Sequence, residues 1–180
     1  MIDLPRTRGG WRCLLADPPW SFSDRNTRGA AERHYRTMSD CEIAAMPVRD
    51  IAAPDAVLAL WVPDTHLELA LVVAKAWGFT YRHLAVWGKV STAGKIQIGL
   101  GHRMRKAHEV ALICTRGKPE ILDHGVPSLI LAPRGQHSAK PEAMHVALER
   151  LCAGPRLELF ARAARPGWTV WGNEAPGRAA

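Results

Sequence analysis

An apolar run, Cys13 to Ala16, leads directly into the four residues Asp17-Pro18-Pro19-Trp20, and it predicts a buried strand with these residues at its carboxyl end. Ligands of open α/β sheets bind just beyond such strand ends. Asp17 can accept one N–H of an exocyclic amine, and the Pro18 carbonyl, restricted by the proline that follows it, can accept the other. The indole of Trp20 offers a flat face for an aromatic ring. These residue types suit methylation of an exocyclic amine on a base.

The exocyclic amine of adenine is a poor nucleophile, because its lone pair is delocalised into the ring. Two acceptors on the amine hydrogens favour a pyramidal nitrogen whose lone pair points at an incoming methyl group. The same four residues also fit a strand that ends in a Pro-Pro turn with a surface aspartate. The rest of the chain must therefore decide between the two interpretations.

Positive charge is concentrated in one part of the chain. The formal net charge is +7, which favours a polyanionic partner such as nucleic acid. Between Lys89 and Lys118, Glu109 is the only acidic residue. A glycine-rich loop over 91–108 is a candidate grip on a phosphate backbone, and a solvated flexible loop is the alternative. The candidate contacts in this loop are Arg103, Arg105 and Lys106.

The composition of the 180 residues is typical of a globular protein, and we expect a single domain over 1–180. No apolar run approaches the roughly 18 residues of a membrane span, and the first residues lack the apolar core of a signal peptide. We therefore expect a cytoplasmic protein that does not enter a membrane. The four cysteines form no Cys-x-x-Cys pair and the histidines show no ligand spacing, so we predict core thiols and no metal site.

Strand and helix patterns alternate along the chain, which predicts an α/β fold with a mostly parallel sheet and helices on both faces. Residues 21–37 are predicted to form a loop. Helices are expected from the capping box at 39–42 to near Pro47, from a cap at Thr65 to about Trp77, and over 141–152, with Pro141 in the first turn. Strands are predicted over 12–16, 56–62, 81–87, 109–115, 128–132, 156–160 and 168–171.

Two further segments carry candidate ligand-binding residues. Lys140 stands directly before the predicted helix 141–152, where the helix dipole and the lysine charge attract an anionic group; a plain helix start is the alternative. Polar side chains also follow the last two predicted strands, with Arg162 near one end and Asn173 and Glu174 near the other. Such positions can hold ribose hydroxyls or an amino-acid head group, although a hairpin with polar caps fits as well.

Seven blocks of residues, in one order from about Trp11 to Glu174, make the chain resemble the MT-A70 family of adenine methyltransferases. This family includes the catalytic subunit of the eukaryotic messenger-RNA adenosine methyltransferase and many bacterial and phage DNA adenine methyltransferases. The chain is also similar to the wider beta class of amino methyltransferases, in which a lysine-proline motif precedes a helix. The blocks are Asp17-Pro18-Pro19-Trp20, Tyr35-Arg36-Thr37-Met38-Ser39-Asp40, Leu60-Trp61-Val62, Trp77-Gly78, Trp87-Gly88-Lys89, Glu158-Leu159-Phe160-Ala161-Arg162 and Gly167-Trp168 with Gly172-Asn173-Glu174.

The resemblance implies a Rossmann-like methyltransferase fold, with a core over about 11–174, that binds S-adenosylmethionine as the methyl donor. By resemblance, Asp17 and the Pro18 carbonyl hold the target amine, and Pro19 and Trp20 complete the catalytic motif. Trp20 and Tyr35 would border the pocket for the base.

The resemblance also assigns a cofactor surface. Lys140 would lie near both the cofactor and the base, and Glu109 matches an acidic position near the substrate entrance. Glu174 stands where the messenger-RNA enzyme commonly has glutamine, and the segment after Arg162 is shorter here than in that enzyme. The residues implied to contact or border the cofactor are Asp17, Lys140, Phe160, Arg162, Asn173 and Glu174.

The resulting prediction is methyl transfer to the exocyclic amine of adenine in DNA, in a bacterial or phage setting, by direct displacement without a metal. A duplex target would have to be flipped out of the helix. RNA adenosine methylation, cytosine methylation and a non-catalytic nucleic-acid-binding partner subunit are the alternatives. Cytosine enzymes typically carry Ser-Pro-Pro-Tyr, and degenerate subunits usually lose the acid that Asp17 supplies here. A homodimer, or a heterodimer with a subunit that reads the target site, stays open.

Overall fold

The computed structural model of the chain describes residues 2–21, 38–101, 103–135 and 139–173. Within them, the helices are α1 (Asp40–Ala44), α2 (Val48–Ile51), α3 (Leu67–Ala76) and α4 (Glu142–Leu151), with a 3₁₀ turn at Asp64–His66. The strands are β1 (Trp11–Ala16), β2 (Ala52–Val62), β3 (Thr80–Val90), β4 (His108–Arg116), β5 (Leu129–Pro133), β6 (Arg156–Leu159) and β7 (Thr169–Trp171).

The strands form one sheet in the order β5-β3-β4-β2-β1-β6-β7. Strand β1 runs parallel to β2 and β6, β6 to β7, and β3 to β5, whereas β4 is antiparallel to both of its neighbours. The predicted mostly parallel sheet of a Rossmann-like methyltransferase is therefore confirmed. Because β4 runs the other way, its amino-terminal end lies at the same edge as the carboxyl ends of β1, β2, β3 and β6.

Hydrophobic side chains alternate between the two faces of the sheet. On one face Leu14, Leu58 and Leu60 pack in a core that includes Val73 of α3. On the other face the core includes Met144 and Leu148 of α4, together with Cys13, Leu15, Ala59 and Trp61. Helices thus cover both faces, as predicted.

The four cysteines are free thiols, and three of them (Cys13, Cys114 and Cys152) are buried, as predicted for core thiols. Burial raises the pKa of the Cys114 thiol to about 12, which keeps this group protonated and unreactive at neutral pH. Within the described part of the chain, no helix is long and apolar enough to span a membrane.

The capping box at the start of α1 is confirmed. The backbone N–H of Ser39 donates to the Glu42 carboxylate at 2.8 Å, and the Glu42 N–H donates to the Ser39 hydroxyl at 3.3 Å. This helix ends earlier than expected, and Pro47 then becomes the N-cap of a second short helix, α2, that the sequence analysis missed. A proline fits either the end of one helix or the start of the next.

Two other predicted helix starts are wrong in detail. Thr65 lies inside the 3₁₀ turn, and its hydroxyl lies 2.9 Å from Nδ1 of His66 instead of capping a helix; α3 begins only at Leu67. Pro141 has extended backbone angles and is the N-cap of α4 rather than a residue of its first turn.

Several strand ends also differ from their predicted positions. Strand β3 continues to Val90, so Lys89 belongs to the strand and not to the loop that follows. Strand β2 begins at Ala52, four residues before the apolar run that identified it. Strand β6 ends at Leu159, because Phe160 adopts a left-handed conformation with φ of 64° that a strand cannot continue. Strand β7 begins at Thr169.

Candidate active site

Asp17 and Lys140 form an ion pair at the carboxyl edge of the sheet. Nζ of Lys140 lies 2.9 Å from Oδ1 and 2.8 Å from Oδ2 of Asp17. Asp17 follows β1, whose last residue, Ala16, lies between Leu60 of β2 and Leu159 of β6. Lys140 comes from the segment that leads into α4. The fold therefore brings together two predicted site residues that are 123 positions apart in the sequence.

Glu109 and Lys89 extend this pair. Oε2 of Glu109 lies 3.5 Å from Nζ of Lys140, and its Oε1 accepts a hydrogen bond from Nζ of Lys89 at 2.5 Å. Lys89 is only 8% exposed. The strand predicted over 81–87 left Lys89 in the basic segment after it, which is wrong, because Lys89 lies in β3 and is a buried partner of Glu109 in the neighbouring strand β4. The four residues Lys89, Glu109, Lys140 and Asp17 alternate in charge, and we call them the charged row.

The charged row holds Glu109 in its ionised form. Burial raises the pKa of this carboxyl, but the charge of Lys140 and the hydrogen bond and charge of Lys89 outweigh burial, so that the pKa is lowered overall. A carboxylate held ionised between two ammonium groups keeps both of them in place.

Two indoles lie beside the lysines of the charged row. Nζ of Lys140 lies 5.5 Å from the ring centroid of Trp61, and Nζ of Lys89 lies 5.0 Å from that of Trp87. The two rings meet edge to face with centroids 6.4 Å apart. Both tryptophans belong to blocks of the family resemblance, but neither was predicted to border the site. They could have been predicted from the sequence, because each lies near the end of an apolar strand that reaches the same edge of the sheet as Asp17.

Trp20 is buried rather than open to the site, with 4% of its surface exposed. Its indole N–H donates to the Trp61 carbonyl at 3.0 Å, and its ring is tilted against that of His66 at 5.8 Å. The backbone N–H of Trp20 donates to the Pro18 carbonyl at 2.9 Å. Trp20 thus anchors the turn to β2, and a base could stack on it only if part of the ring were uncovered. Its role in base binding stays a prediction.

Pro18 and Pro19 turn the chain away from the sheet. The carbonyl of Pro19 accepts the N–H of Met38 at 3.0 Å, which ties the segment before α1 to the end of the Asp17-Pro18-Pro19-Trp20 motif. The Pro18 carbonyl keeps one lone pair beyond the bond from Trp20. Tyr35, which was predicted to border the base, lies outside the described residues, as does the rest of the predicted loop over 21–37 except Ser21.

The ends of β6 and β7 are joined through a strained turn. Phe160, the residue with a φ of 64°, lies in this turn. The N–H of Ala161 donates to the Trp171 carbonyl at 3.0 Å. A Cβ on Gly172 would overlap the Ala161 carbonyl, so only glycine fits against this backbone. Left-handed residues other than glycine cost about 1–3 kcal/mol and cluster at functional sites. The turn leaves the predicted cofactor residues Arg162 and Asn173 exposed near these strand ends.

A polar cluster that the sequence analysis missed fastens α4 to the segment before β7. Glu149 accepts hydrogen bonds from the Trp168 indole at 2.7 Å and from Arg165 at 3.2 Å. His145 lies 2.8 Å from the Glu158 carboxylate of β6. The hydrogen bond from Trp168 lowers the pKa of Glu149 despite its partial burial. Since Lys140 immediately precedes α4, this cluster supports the position of the lysine.

The loop cations stand apart from the charged row. Arg103 and Arg105 are exposed, and Lys106 pairs with Asp64 at 3.0 Å, which the sequence did not indicate. The loop leaves the sheet between Lys89 and Glu109, at the edge that carries Asp17. The remaining predicted site residue, Glu174, lies outside the described residues.

The sequence model of the MT-A70 family matches residues 11–174. The chain belongs to the MT-A70 family. Enzymes of this family use S-adenosylmethionine to methylate the N6 amine of adenine, and the extent of the match equals the core predicted from the seven blocks.

The curated relatives of the chain differ greatly in the share of their own length that it covers. It is 31% identical to an Arabidopsis thaliana protein named N(6)-adenosine-methyltransferase MT-A70-like, over 94% of this chain but 24% of that protein. It is 29% identical to Type II methyltransferase M.MunI of Mycoplasma sp, over 97% of this chain and 81% of the relative. It is 28% identical to the N(6)-adenine-specific methyltransferase METTL4 of Homo sapiens, over 97% of this chain and 39% of the relative. The chain thus spans about a quarter of the plant relative but most of the Mycoplasma one.

The residues at this edge fit the methyl donor of an MT-A70 enzyme. S-Adenosylmethionine presents ribose hydroxyls, an amino-acid head group and a sulfonium cation. The amide of Asn173 and the guanidinium of Arg162 offer hydrogen bonds at the carboxyl ends of parallel strands, where such ligands bind. Asp17 and Glu109 supply carboxylates at this edge, and both lie next to Lys140. Among the described ranges, no group of His, Cys, Asp and Glu is arranged to hold a metal ion.

Proposed function

We propose that this protein transfers the methyl group of S-adenosylmethionine to the exocyclic amine of adenine in DNA, giving N6-methyladenine. The observation that carries the proposal is the position of Asp17. It follows the central strand β1 at the carboxyl edge of the sheet, and two short hydrogen bonds from Lys140 hold its carboxylate. A carboxylate acceptor in a fixed orientation suits the weakly nucleophilic adenine amine.

Asp17 and Pro18 would act by positioning the amine. One N–H would donate to the carboxylate of Asp17 and the other to the free lone pair of the Pro18 carbonyl. Lys140 restricts the carboxylate before the base arrives, so less ordering is needed when it binds. S-Adenosylmethionine supplies the electrophilic methyl group when bound.

The other predicted site residues are assigned to the cofactor or to the base by their position at the carboxyl edge of the sheet or by the family resemblance. Arg162 and Asn173 would hold polar groups of the methyl donor, with Phe160 in its strained turn and Glu174 completing this surface. Glu109 would border the base beside Lys140, because its carboxylate lies 3.5 Å from that ammonium group. Trp20 and Tyr35 would form the remaining wall of the base pocket.

DNA is favoured over RNA by one of the relatives, and the charge of the loop suits a phosphate backbone. The chain spans 81% of a relative named as a type II methyltransferase. The exposed cations Arg103 and Arg105 lie on a loop beside the site, where they can contact a phosphate backbone. RNA adenosine is the second candidate, because the family also includes a relative from Cryphonectria parasitica named N6-methyladenosine RNA methyltransferase MTA1, at 26% identity.

The test is methyl transfer from labelled S-adenosylmethionine to duplex DNA, single-stranded DNA and RNA of mixed sequence. We expect label in DNA and at most a trace in RNA. Label confined to RNA would replace the proposal with the second candidate. No label on any substrate, with cofactor binding intact, would indicate that a second subunit is required, and no cofactor binding would contradict an enzymatic role.

A further inference from the structure

The loop between β3 and β4, over 91–107, exposes large apolar side chains. The exposed fractions are 74% for Ile96, 67% for Ile98, 87% for Leu100 and 84% for Met104. Single exposed apolar residues are common on protein surfaces, but four within nine positions form a patch that indicates a binding partner.

These side chains are carried on a hydrogen-bonded frame. Gln97 donates its N–H to the Lys89 carbonyl at 2.8 Å, and Gly99 donates to the Lys106 carbonyl at 2.6 Å. The second bond closes an outer turn that holds Leu100 and Met104. A Cβ on Gly101 would overlap the Met104 carbonyl, so the turn is tight enough to require glycine there. The backbone therefore holds the two most exposed apolar side chains of this loop at its outer end.

The charge of the loop limits what this partner can be. No acidic residue occurs between 91 and 108, and Arg103 and Arg105 flank Met104 directly. A partner must therefore be anionic outside and must also accept apolar side chains. A second copy of this chain fits poorly, because it carries the same cationic loop and the same net charge of +7. A nucleic-acid duplex fits both requirements, with phosphates outside and stacked bases inside.

The position of the loop supplies a use for apolar insertion. It leaves the sheet after Val90 and returns at His108. The neighbouring residues Lys89 and Glu109 are hydrogen-bonded to each other, and Glu109 lies next to Lys140, the partner of Asp17. An adenine inside a duplex cannot reach Asp17 unless it leaves the base stack. The gap left in the stack can be filled by apolar side chains, which act as wedges in many proteins that deform DNA.

We propose that Leu100 and Met104 insert into the base stack of double-stranded DNA as the target adenine turns out, while Arg103 and Arg105 contact the flanking phosphates. This inference rests on the proposed function, since a single-stranded substrate needs no wedge. On this proposal, the outer turn of the loop is needed for methylation of duplex DNA but not for methylation of single-stranded DNA.

The first test measures methyl transfer to native DNA of mixed sequence and to the same DNA after heat denaturation, so no target sequence need be known. The double variant Leu100→Ser/Met104→Ser is expected to lose about tenfold or more on native DNA and less than twofold on denatured DNA. Val72→Ser is the matched control, because Val72 is 61% exposed on α3, away from the loop, and should change neither rate.

The second test is independent of catalysis. Wedge insertion unwinds DNA, so wild-type protein bound to a closed circular plasmid should change its linking number after relaxation by a topoisomerase. The double variant should leave the linking number unchanged at protein concentrations that give equal binding.

The possible results separate the two proposals. Wild-type protein that methylates duplex DNA without unwinding it would overturn the wedge and leave the proposed function standing. Equal losses of the double variant on native and denatured DNA would also overturn the wedge. If the wild-type protein is a dimer and the double variant a monomer, the loop binds a second copy of the chain instead of DNA. Methylation of RNA alone would overturn both proposals.

Discussion

The cations at the carboxyl edge of the sheet belong to two contrasting regions. In the charged row, Lys89 and Lys140 are largely buried, each touches a carboxylate, and each lies beside an indole. On the loop over 91–107, Arg103 and Arg105 are exposed on a segment that lacks acidic residues. The first set meets its partners inside the protein, whereas the second set faces outward.

The contrast separates positioning from recognition. A buried ammonium group cannot also neutralise a distant phosphate, because leaving its carboxylate uncompensated would be costly. An exposed guanidinium contributes little to the stability of the fold, and it is accessible to a polyanion. We therefore expect substitutions in the charged row to alter turnover or stability, and substitutions in the loop to alter binding and its salt dependence.

The largest effect is expected for Asp17→Asn, which keeps the size of the side chain and removes its charge. Methyl transfer should fall by about 10³-fold, because the amide oxygen is an uncharged and weaker acceptor for the amine and the ion pair with Lys140 that orients it is lost. The fold should persist, since Asp17 lies beyond the end of β1 and outside both cores. Initial rates and circular dichroism would measure the two effects, with Asp50→Asn on the exposed surface of α2 as the control. Retention of more than a tenth of the activity would remove Asp17 from the catalytic assignment.

A tenfold or larger loss of DNA affinity at moderate salt is expected for Arg103→Glu/Arg105→Glu/Lys106→Glu. Each phosphate contact adds about 0.9 to the slope of log affinity against log salt, so the slope should become shallower by up to about 3. Turnover at saturating DNA should change little. Binding titrations over a salt series would measure both quantities.

The matched control for the loop is Arg6→Glu/Arg8→Glu, whose exposed side chains precede β1 at the opposite edge of the sheet. A change of slope in this control in proportion to its charge reversals, two against three in the loop variant, would mean that net charge, and not the loop, governs binding.

The smallest effect is expected in the stability of two lysine variants. The lysines are close in the sequence, but Lys89 lies in the charged row and Lys95 in the loop. The pKa of Glu109 is lowered in the folded protein, so this group stabilises the fold above its ordinary value of 4.5, and the contribution is lost as the pH falls through the lower folded pKa. Lys89→Met removes one cause of the lowering. It should cost about 1–2 kcal/mol at neutral pH, since the carboxyl is partly exposed, and shift acid unfolding to higher pH.

Lys95→Met should leave both stability and the acid midpoint unchanged, because Lys95 is exposed. Denaturant titrations between pH 3 and 7, the range in which carboxyl groups titrate, would measure the difference. Equal stability of the two variants at neutral pH would mean that the charged row does not stabilise the fold.

The same contrast explains how much could be predicted from the sequence. The strand before Asp17 was predictable because its residues are apolar without interruption, and the end of a central parallel strand is a common binding position. The pair between Lys89 and Glu109 was not. It depends on the antiparallel register in which Trp87 lies opposite Glu109, and a lysine after Trp87-Gly88 resembles the start of a loop.

Local conformations also escaped prediction where side chains gave a misleading signal. Thr65 is a good N-cap residue, but its hydroxyl is engaged by His66 within a 3₁₀ turn. Phenylalanine seldom adopts positive φ, so the turn at Phe160 had no signal in that residue itself. The close packing of Gly172 against Ala161, which fixes this turn, comes from two strands meeting in space.

The central claim is that Asp17 supports methylation of the adenine amine in DNA. The most direct measurement is mass spectrometry of nucleosides from DNA and RNA incubated together with the protein and S-adenosylmethionine that carries a deuterated methyl group. We predict deuterated N6-methyldeoxyadenosine from the wild-type protein and about 10³-fold less from Asp17→Asn. Deuterium in cytosine or only in adenosine of RNA, or equal product from the variant, would contradict the account.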